Sequence, residues 1–322
     1  MLGKTVKTEA MATRDAYGKT LVELGRENRN IVVLDADLSS STRTCLFGEE
    51  FPERFFNVGI AEQNMMGLAA GLATCGKIPF VSTFAVFASG RVYNQVRQSI
   101  AYTNLNVKIV ATHGGISVGE DGPSHQCTED VALMRALPNM TVIVPSDAIE
   151  TRKAVRATAE QVGSVYMRLG RPKVPVIYDE KMNFEIGKAI LLKDGNDVAI
   201  LGTGIMVAKA LEVASLLAEE GVNARVIDVH TIKPIDQDMI IEAAKDTGAV
   251  VTAEEHSIIG GLGSAVAEVL VENYPVPMLR VGVKDEFAES ASAEELLMRY
   301  GLTTSDIFHA AKKALEKKKQ TI

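Results

Sequence analysis

Cysteine is scarce and basic charge is in deficit, and each shortage argues against a class of protein. The three cysteines form no CxxC pair and no cluster with histidine at zinc spacing, which argues against a disulfide scaffold or a structural metal and fits a reducing, cytoplasmic compartment. The net charge of −7 argues against nucleic acid or an anionic membrane as a partner, because both need a basic face. No apolar run could span a membrane, and the first residues lack the apolar core of a signal peptide.

The composition is that of a globular protein, with 47% apolar and 23% charged residues, and 322 residues favour two domains over one. Short β-branched runs alternate with amphipathic helical stretches, which predicts parallel sheets covered by helices. Strands are predicted at 31–34, 78–82, 107–112, 141–145, 164–168, 198–201, 223–228, 249–254 and 278–281. Helices are predicted at 13–27, 61–75, 91–102, 129–137, 148–161, 207–220, 237–245, 263–273 and 303–319.

A segment rich in proline and glycine at 170–175, GRPKVP, separates two such patterns and predicts a linker. We therefore predict two α/β domains. The first, residues 1–180, is a parallel, doubly wound sheet. The second, residues 181–322, is a mostly parallel three-layer unit with one antiparallel strand.

The stretch THGGISVGEDGPSHQ, residues 112–126, is a candidate site because it follows a predicted strand and concentrates glycines, acids and two histidines. A glycine-rich loop at the carboxyl end of a parallel strand is where open α/β sheets bind ligands. His113 and His125 can change protonation state near neutral pH. A tight surface loop whose histidines only satisfy backbone groups is the alternative.

Two further stretches carry residues that could do chemistry. In FFNVGIAEQNMMGLAAGLA, residues 55–73, Glu62 begins an otherwise apolar helix, although this stretch taken alone favours an exposed glutamate stabilised by the helix dipole. In STFAVFASGRVYNQVRQSIAY, residues 82–102, Phe84 and Phe87 are three residues apart, with Tyr93 beyond them. Aromatic residues at helical spacing are more often core than ligand contacts.

Together these stretches resemble the transketolases and their thiamine-diphosphate relatives. GEDGPSHQ is similar to the transketolase signature GEDGPTHQ and differs at Ser124, VGIAEQ resembles the cofactor-activating glutamate motif, and the STF segment resembles the aromatic pocket for the pyrimidine ring. The resemblance covers essentially the whole chain, as a pyrimidine-binding domain and a transketolase C-terminal domain. In the second half, LGTG, AEEH and GGLGS are similar to that C-terminal domain, where a packing turn at GGLG is favoured over an anion site.

The resemblance implies the cofactor contacts. Glu62 would donate a hydrogen bond to the aminopyrimidine ring of thiamine diphosphate and so promote proton removal from its thiazolium carbon. Phe84 and Phe87 would sandwich the pyrimidine. A family tyrosine aligns near Gly90, with Tyr93 as an uncertain replacement. Two further residues would lie beside the cofactor, Asp37 of ADLSSS and Ile60 of VGIAEQ.

The resemblance also implies a site for a sugar phosphate. Arg14 of the ATR motif and Arg168 of MRLGR would clamp the phosphate with Ser41 and His113, because guanidinium groups match a phosphate dianion. Asp121 would bind the substrate hydroxyl that sets stereochemical preference. His125 would contact the hydroxyl next to the reacting carbonyl.

The family motif that contains GDG and holds the metal and the diphosphate is absent from the chain. The resemblance therefore implies a separate N-terminal transketolase subunit that carries this motif and holds Mg²⁺ (or Ca²⁺), with a dimer of this chain inside a heterotetramer. The implied reaction is transfer of a two-carbon ketol unit between sugar phosphates in the pentose phosphate pathway. A 2-oxo acid dehydrogenase beta subunit, half of a deoxyxylulose-phosphate synthase and a non-catalytic pairing subunit are the alternatives.

Overall fold

The computed structural model of the protein describes residues 10–321 and contains two large β-sheets covered by helices. Residues 1–9 and 322 lie outside the described residues. The predicted start of the first domain, the predicted end of the second and most of the segment predicted to lack a signal peptide fall there. In residues 10–321 no helix combines the length and the hydrophobicity needed to cross a bilayer.

Six strands of the first half of the chain form one sheet, in which they run parallel to one another. Its core strands are buried along their whole length, as expected for a sheet covered on both faces. The strands of this half are β1 (Ala10–Ala12), β2 (Ile31–Asp35), β3 (Phe55–Asn57), β4 (Ile78–Ser82), β5 (Lys108–Ala111), β6 (Thr141–Ile143), β7 (Val165–Arg168) and β8 (Lys173–Pro175). The helices are α1 (Thr13–Glu27), α2 (Ser39–Thr42), α3 (Cys45–Glu50), α4 (Glu62–Thr74), α5 (Tyr93–Gln95), α6 (Asp130–Arg135) and α7 (Ala148–Glu160).

The second half forms a five-stranded sheet in the order β14-β13-β10-β11-β9. Its strands are β9 (Ile190–Lys193), β10 (Val198–Gly202), β11 (Ala224–Asp228), β13 (Val250–Ser257) and β14 (Met278–Val283), with β12 (Thr231–Lys233) lying elsewhere. Its helices are α8 (Met206–Glu219), α9 (Gln237–Thr247), α10 (Leu262–Asn273), α11 (Ala293–Arg299) and α12 (Thr304–Thr321). Only β9 runs antiparallel to its neighbour among these described strands, so the predicted fold class is confirmed.

Three local predictions need correction. The predicted linker 170–175 contains β8, which pairs antiparallel with β1 and fastens the end of the first half to its beginning. Strand β12 comes from the second half but extends the first sheet through an antiparallel pairing with β6, giving the order β12-β6-β7-β5-β4-β2-β3. The predicted helix 91–102 is broken into α5 and two π-helical segments, Phe87–Arg91 and Val96–Ala101.

A cluster of buried carboxyl groups holds β11 of the second half against α7 of the first. Asp228 accepts a hydrogen bond from the Tyr178 hydroxyl at 2.9 Å, and Glu150 accepts bonds from the backbone and side chain of Ser146. Asp228 Oδ1 and Glu150 Oε1 are buried without a hydrogen-bond partner, and we infer that these two carboxyl groups share a proton. Burial raises the pKa of Asp228 to about 7, and burial with the Asp228 charge raises the pKa of Glu150 well above its ordinary value.

This cluster predicts a stability that falls with rising pH. Because the folded state holds the proton more tightly than the unfolded chain, the contribution is complete below the ordinary Asp pKa of 3.8 and is lost as the pH rises through about 7. Asp228→Asn replaces the shared proton by an amide hydrogen that does not titrate. We expect the variant to gain about 1 to 3 kcal/mol relative to the wild type between about pH 5 and about pH 8, measured as the free energy of unfolding in urea. If the difference in free energy of unfolding between Asp228→Asn and the wild type did not change with pH across that range, the shared proton would be contradicted.

Candidate active site

The candidate residues lie at the carboxyl edge of the first sheet. Glu62 follows β3, Phe84 follows β4 and His113 follows β5, and these parallel strands end on the same side. Open parallel sheets bind their ligands at this edge because successive loops converge there. The topology therefore brings together side chains that are far apart in the sequence.

Glu62 is a nearly buried carboxylate at the N-terminus of α4. Its residue is 3% exposed, although it begins a helix whose other face is open to solvent. Its Oε1 accepts a hydrogen bond of 2.7 Å from Nη1 of Arg91. The Arg91 guanidinium also lies over the ring of Phe87, 4.4 Å from the centroid. Arg91 thus joins the carboxylate to the aromatic cluster, a contact that the sequence analysis did not predict.

Four rings form a continuous aromatic cluster next to this ion pair. Phe84 stacks on His113 with ring centroids 3.8 Å apart, and Phe87 lies parallel to Phe84 at 6.0 Å. His125 points its ring edge at both phenylalanines, at 5.7 and 6.2 Å. His125 Nδ1 is 2.9 Å from the Ser124 hydroxyl, which orients the ring. The two histidines of the GEDGPSHQ region and the two phenylalanines therefore share one site.

His113 is held in one orientation and one protonation state. Its backbone has a φ of 59°, in the left-handed region, and its Nδ1 is 2.8 Å from the Thr112 hydroxyl. Arg14 can only donate, so His113 Nε2 accepts its bond at 3.3 Å and Nδ1 carries the ring proton. Burial, followed by the charges of Arg14 and Arg171, lowers the pKa of His113 to about 3. The imidazole is therefore neutral at physiological pH.

Arg14 and Arg171 make the far end of the cluster electropositive. Arg14 Nη1 donates to the Ser41 carbonyl at 2.9 Å, while its buried Nε has no hydrogen-bond partner. Burial lowers the pKa of Arg14, and the nearby charges of Arg43 and Arg171 lower it further. Arg171 lies 3.6 Å from Asp121 and donates to the carbonyl of Val118. Two guanidinium groups whose charges act on one another, one of them with an unused donor, suit a dianionic ligand.

Arg168 does not belong to this group of arginines. It is 5% exposed, forms an ion pair with Asp130 at 3.0 Å, and donates to the carbonyls of Cys127 and Glu255. A Cβ added to Gly114 would lie 2.4 Å from Arg168 Nε, so the guanidinium packs beneath the loop. The predicted role of Arg168 at the phosphate stays a prediction. Arg171, which lies within the segment predicted to be a linker, is the arginine whose charge acts on both Arg14 and His113.

The GGLG turn is closed by the protein itself. The backbone N–H groups of Leu262 and Gly263 at the start of α10 both donate to the Glu254 carboxylate at 2.7 Å. These are the donors that an external anion would need. The turn is therefore a packing element, as the sequence analysis favours.

Three other predicted residues make no contact with the cluster. Asp37 is exposed, has a φ of 64° and accepts a hydrogen bond from Asn57. Ile60 is 79% exposed. Tyr93 packs against the hydrophobic core. Their predicted roles beside the cofactor stay predictions.

Comparison with known proteins agrees with the two sheets. A family model described as transketolase, pyrimidine binding domain, matches residues 9–176, and one described as transketolase, C-terminal domain, matches residues 187–307. These matches define a two-domain α/β protein with a pyrimidine-binding first domain. The chain belongs to the transketolase family and corresponds to its C-terminal section.

Individual relatives support this assignment. A Methanocaldococcus jannaschii protein described as a transketolase C-terminal section is 53% identical over 310 residues, covering 95% of this chain and 96% of that protein. A solved structure described as a split gene transketolase, inactive beta4 tetramer, has 60% identity and a TM-score of 0.90, covering 96% of this chain and 99% of that one. Human transketolase is 38% identical over 313 residues, and the match covers 96% of this chain but 50% of the human protein. The comparisons favour a transketolase over the alternatives.

The residues present fit one half of thiamine diphosphate. A nearly buried carboxylate that Arg91 joins to the ring of Phe87 suits an aminopyrimidine, which needs a hydrogen-bonding partner at its edge and an aromatic ring against its face. For the diphosphate the fit fails: across residues 10–321 no group of three or more His, Cys, Asp or Glu side chains is placed to hold a metal ion.

Proposed function

We propose that the chain is the C-terminal subunit of a two-chain transketolase that transfers a two-carbon ketol unit from a ketose phosphate to an aldose phosphate. One observation carries the proposal. The Glu62 carboxylate, the aromatic cluster and the Arg14–Arg171 pair form a single connected site, which joins a pyrimidine-binding end to a phosphate-binding end. Bound thiamine diphosphate would supply a thiazolium carbon that accepts the ketol unit.

Each end of the site has a proposed role. Glu62 hydrogen-bonds the aminopyrimidine edge, and Phe84 and Phe87 hold the ring. Neutral His113 accepts from Arg14 and keeps that guanidinium aimed at the substrate phosphate. The other two substrate contacts are Asp121 and His125, which bind sugar hydroxyls as the resemblance implies.

A partner chain completes the proposed enzyme. The match spans about half of human transketolase, and a related split-gene chain is described as an inactive beta4 tetramer. We propose that an N-terminal subunit with the GDG motif holds the diphosphate through Mg²⁺ (or Ca²⁺). Two copies of this chain and two of the partner would form a cytoplasmic heterotetramer acting in the pentose phosphate pathway.

Substrate discrimination tests the proposal. In the complex reconstituted with the partner, magnesium and thiamine diphosphate, Arg171→Ala should weaken use of a ketose phosphate roughly 10- to 150-fold, because a charge-assisted contact is lost. The same variant should leave an unphosphorylated ketose almost unaffected. The measurement is kcat/KM for both donors.

The matched control is Arg29→Ala at an exposed position after α1, which should change neither donor. An equal decrease in kcat/KM for both donors would show that Arg171 does not bind the substrate phosphate. Decarboxylation of a 2-oxo acid without ketol transfer would contradict the proposed function itself.

A further inference from the structure

The Arg91 side chain touches both groups that the proposed function assigns to the pyrimidine ring. Its Nη1 donates to Glu62 Oε1 at 2.7 Å, and its guanidinium carbon lies 4.4 Å from the centroid of Phe87. A guanidinium seated on an aromatic face and bonded to a carboxylate fills the volume between them. Arg91 therefore covers the face and the edge at which a pyrimidine would bind.

The chemistry of the two groups explains the overlap. A 4-aminopyrimidine contains a planar N–C–N unit with an amino donor, and a guanidinium is also planar, delocalised and rich in N–H donors. Both can stack on a phenyl ring and hydrogen-bond a carboxyl group, since the guanidinium donates to the ionised carboxylate and the pyrimidine ring nitrogen accepts from the protonated carboxyl. The Glu62–Phe87 pair is thus complementary to either group, but it has room for one at a time.

The geometry allows the guanidinium to leave while the backbone stays. The Arg91 carbonyl accepts a hydrogen bond from Gln63 Nε2 at 3.1 Å, which ties the main chain to α4. The side chain is 46% exposed, so solvent is within its reach, whereas the Glu62 side chain is 4% exposed. Arg91 also ends the π-helical segment Phe87–Arg91, a local irregularity that is frequent at functional sites.

We propose that Arg91 is a displaceable internal occupant of the pyrimidine site, and that the cofactor must move its guanidinium aside before the ring can bind Glu62. The proposal rests on the proposed function, since it takes the Glu62–Phe87 pair to be the pyrimidine site. Arg91 then lowers the affinity of the isolated chain for the ring and keeps the Glu62 carboxylate paired until the cofactor arrives.

The test uses the full chain and a neutral probe, 4-amino-2-methylpyrimidine. Binding is followed by NMR chemical shifts of the Phe87 and Glu62 amides in the wild type and in Arg91→Ala. The variant should bind the probe roughly 5- to 30-fold more tightly, because no half-exposed ion pair or cation–π contact has to be broken first. Raising the salt concentration should strengthen binding to the wild type and leave the variant unchanged, since salt screens the exposed ion pair.

Arg97→Ala, at an exposed position in the next π-helical segment, is the matched control and should behave as the wild type. Tighter binding only in Arg91→Ala supports displacement. Equal or weaker binding in that variant would overturn it and would leave the pyrimidine site standing. Absence of binding in both proteins would instead overturn the pyrimidine site, and with it the proposed function.

Discussion

Replacing Glu62 by glutamine should slow hydrogen–deuterium exchange at the thiazolium carbon of bound thiamine diphosphate about 100- to 10,000-fold, the scale of lost general acid–base catalysis. The substitution keeps the size of the side chain but replaces a carboxyl group, which can give up its proton, by an amide, which cannot. Glu62 is nearly buried, with its side chain 4% exposed, so the carboxyl group is largely shielded from solvent. The measurement is quenched-flow exchange followed by NMR in the complex with the partner subunit.

Cofactor affinity should change far less than the exchange rate, because the proposed metal and diphosphate anchor lies on the partner. Glu49→Gln, at an exposed position at the end of α3, is the matched control and should exchange at the wild-type rate. Near-normal exchange in Glu62→Gln would show that this glutamate only begins a helix. The assigned mechanism would then fail.

Replacing Arg168 by alanine should destabilise the fold by about 3 to 5 kcal/mol, because it leaves the buried Asp130 carboxylate without its cation. Asp130 would keep one donor, the Tyr166 hydroxyl at 2.7 Å. The carbonyls of Cys127 and Glu255 would lose their bonds to Arg168 as well. The measurement is the free energy of unfolding in urea for the isolated chain.

Arg171→Ala is the matched control, since Arg171 is half-exposed and its ion pairs with Glu120 and Asp121 are long. It should change the free energy of unfolding by about 1 kcal/mol or less. A stable Arg168→Ala protein that loses its preference for phosphorylated donors would return Arg168 to the phosphate site and contradict the present assignment.

The regular elements of the fold follow from the sequence because their signals are local. The helix predicted at 13–27 has the same bounds in the structure, and so has the strand at 78–82. The pairing of β8 with β1 and of β12 with β6 depends on residues far apart in the chain, so periodicity does not show it. The Pro172 and Pro175 signal is compatible with a short strand at a sheet edge, where few backbone donors are needed.

The candidate site also has a part that the sequence predicts and a part that it does not. Motif resemblance selects Glu62, Phe84 and His113, and the topology brings their strand ends to one edge of the sheet. Motif resemblance does not show which arginine of MRLGR, Arg168 or Arg171, reaches the site. The two differ in burial and in hydrogen-bond partners, which the motif does not reveal. The contact between Arg91 and Glu62 has no sequence signal beyond a cation after an aromatic pair.

The central claim is that this chain forms an active transketolase site only together with a partner that holds the diphosphate. The most direct measurement is ketol transfer from a ketose phosphate to an aldose phosphate in mixtures of this chain with a transketolase N-terminal chain carrying the GDG motif, at constant total protein and with magnesium and thiamine diphosphate in excess. We expect no turnover by either chain alone and the highest rate of ketol transfer in the equimolar mixture. Turnover by this chain alone at a rate comparable with the mixture would contradict the central claim.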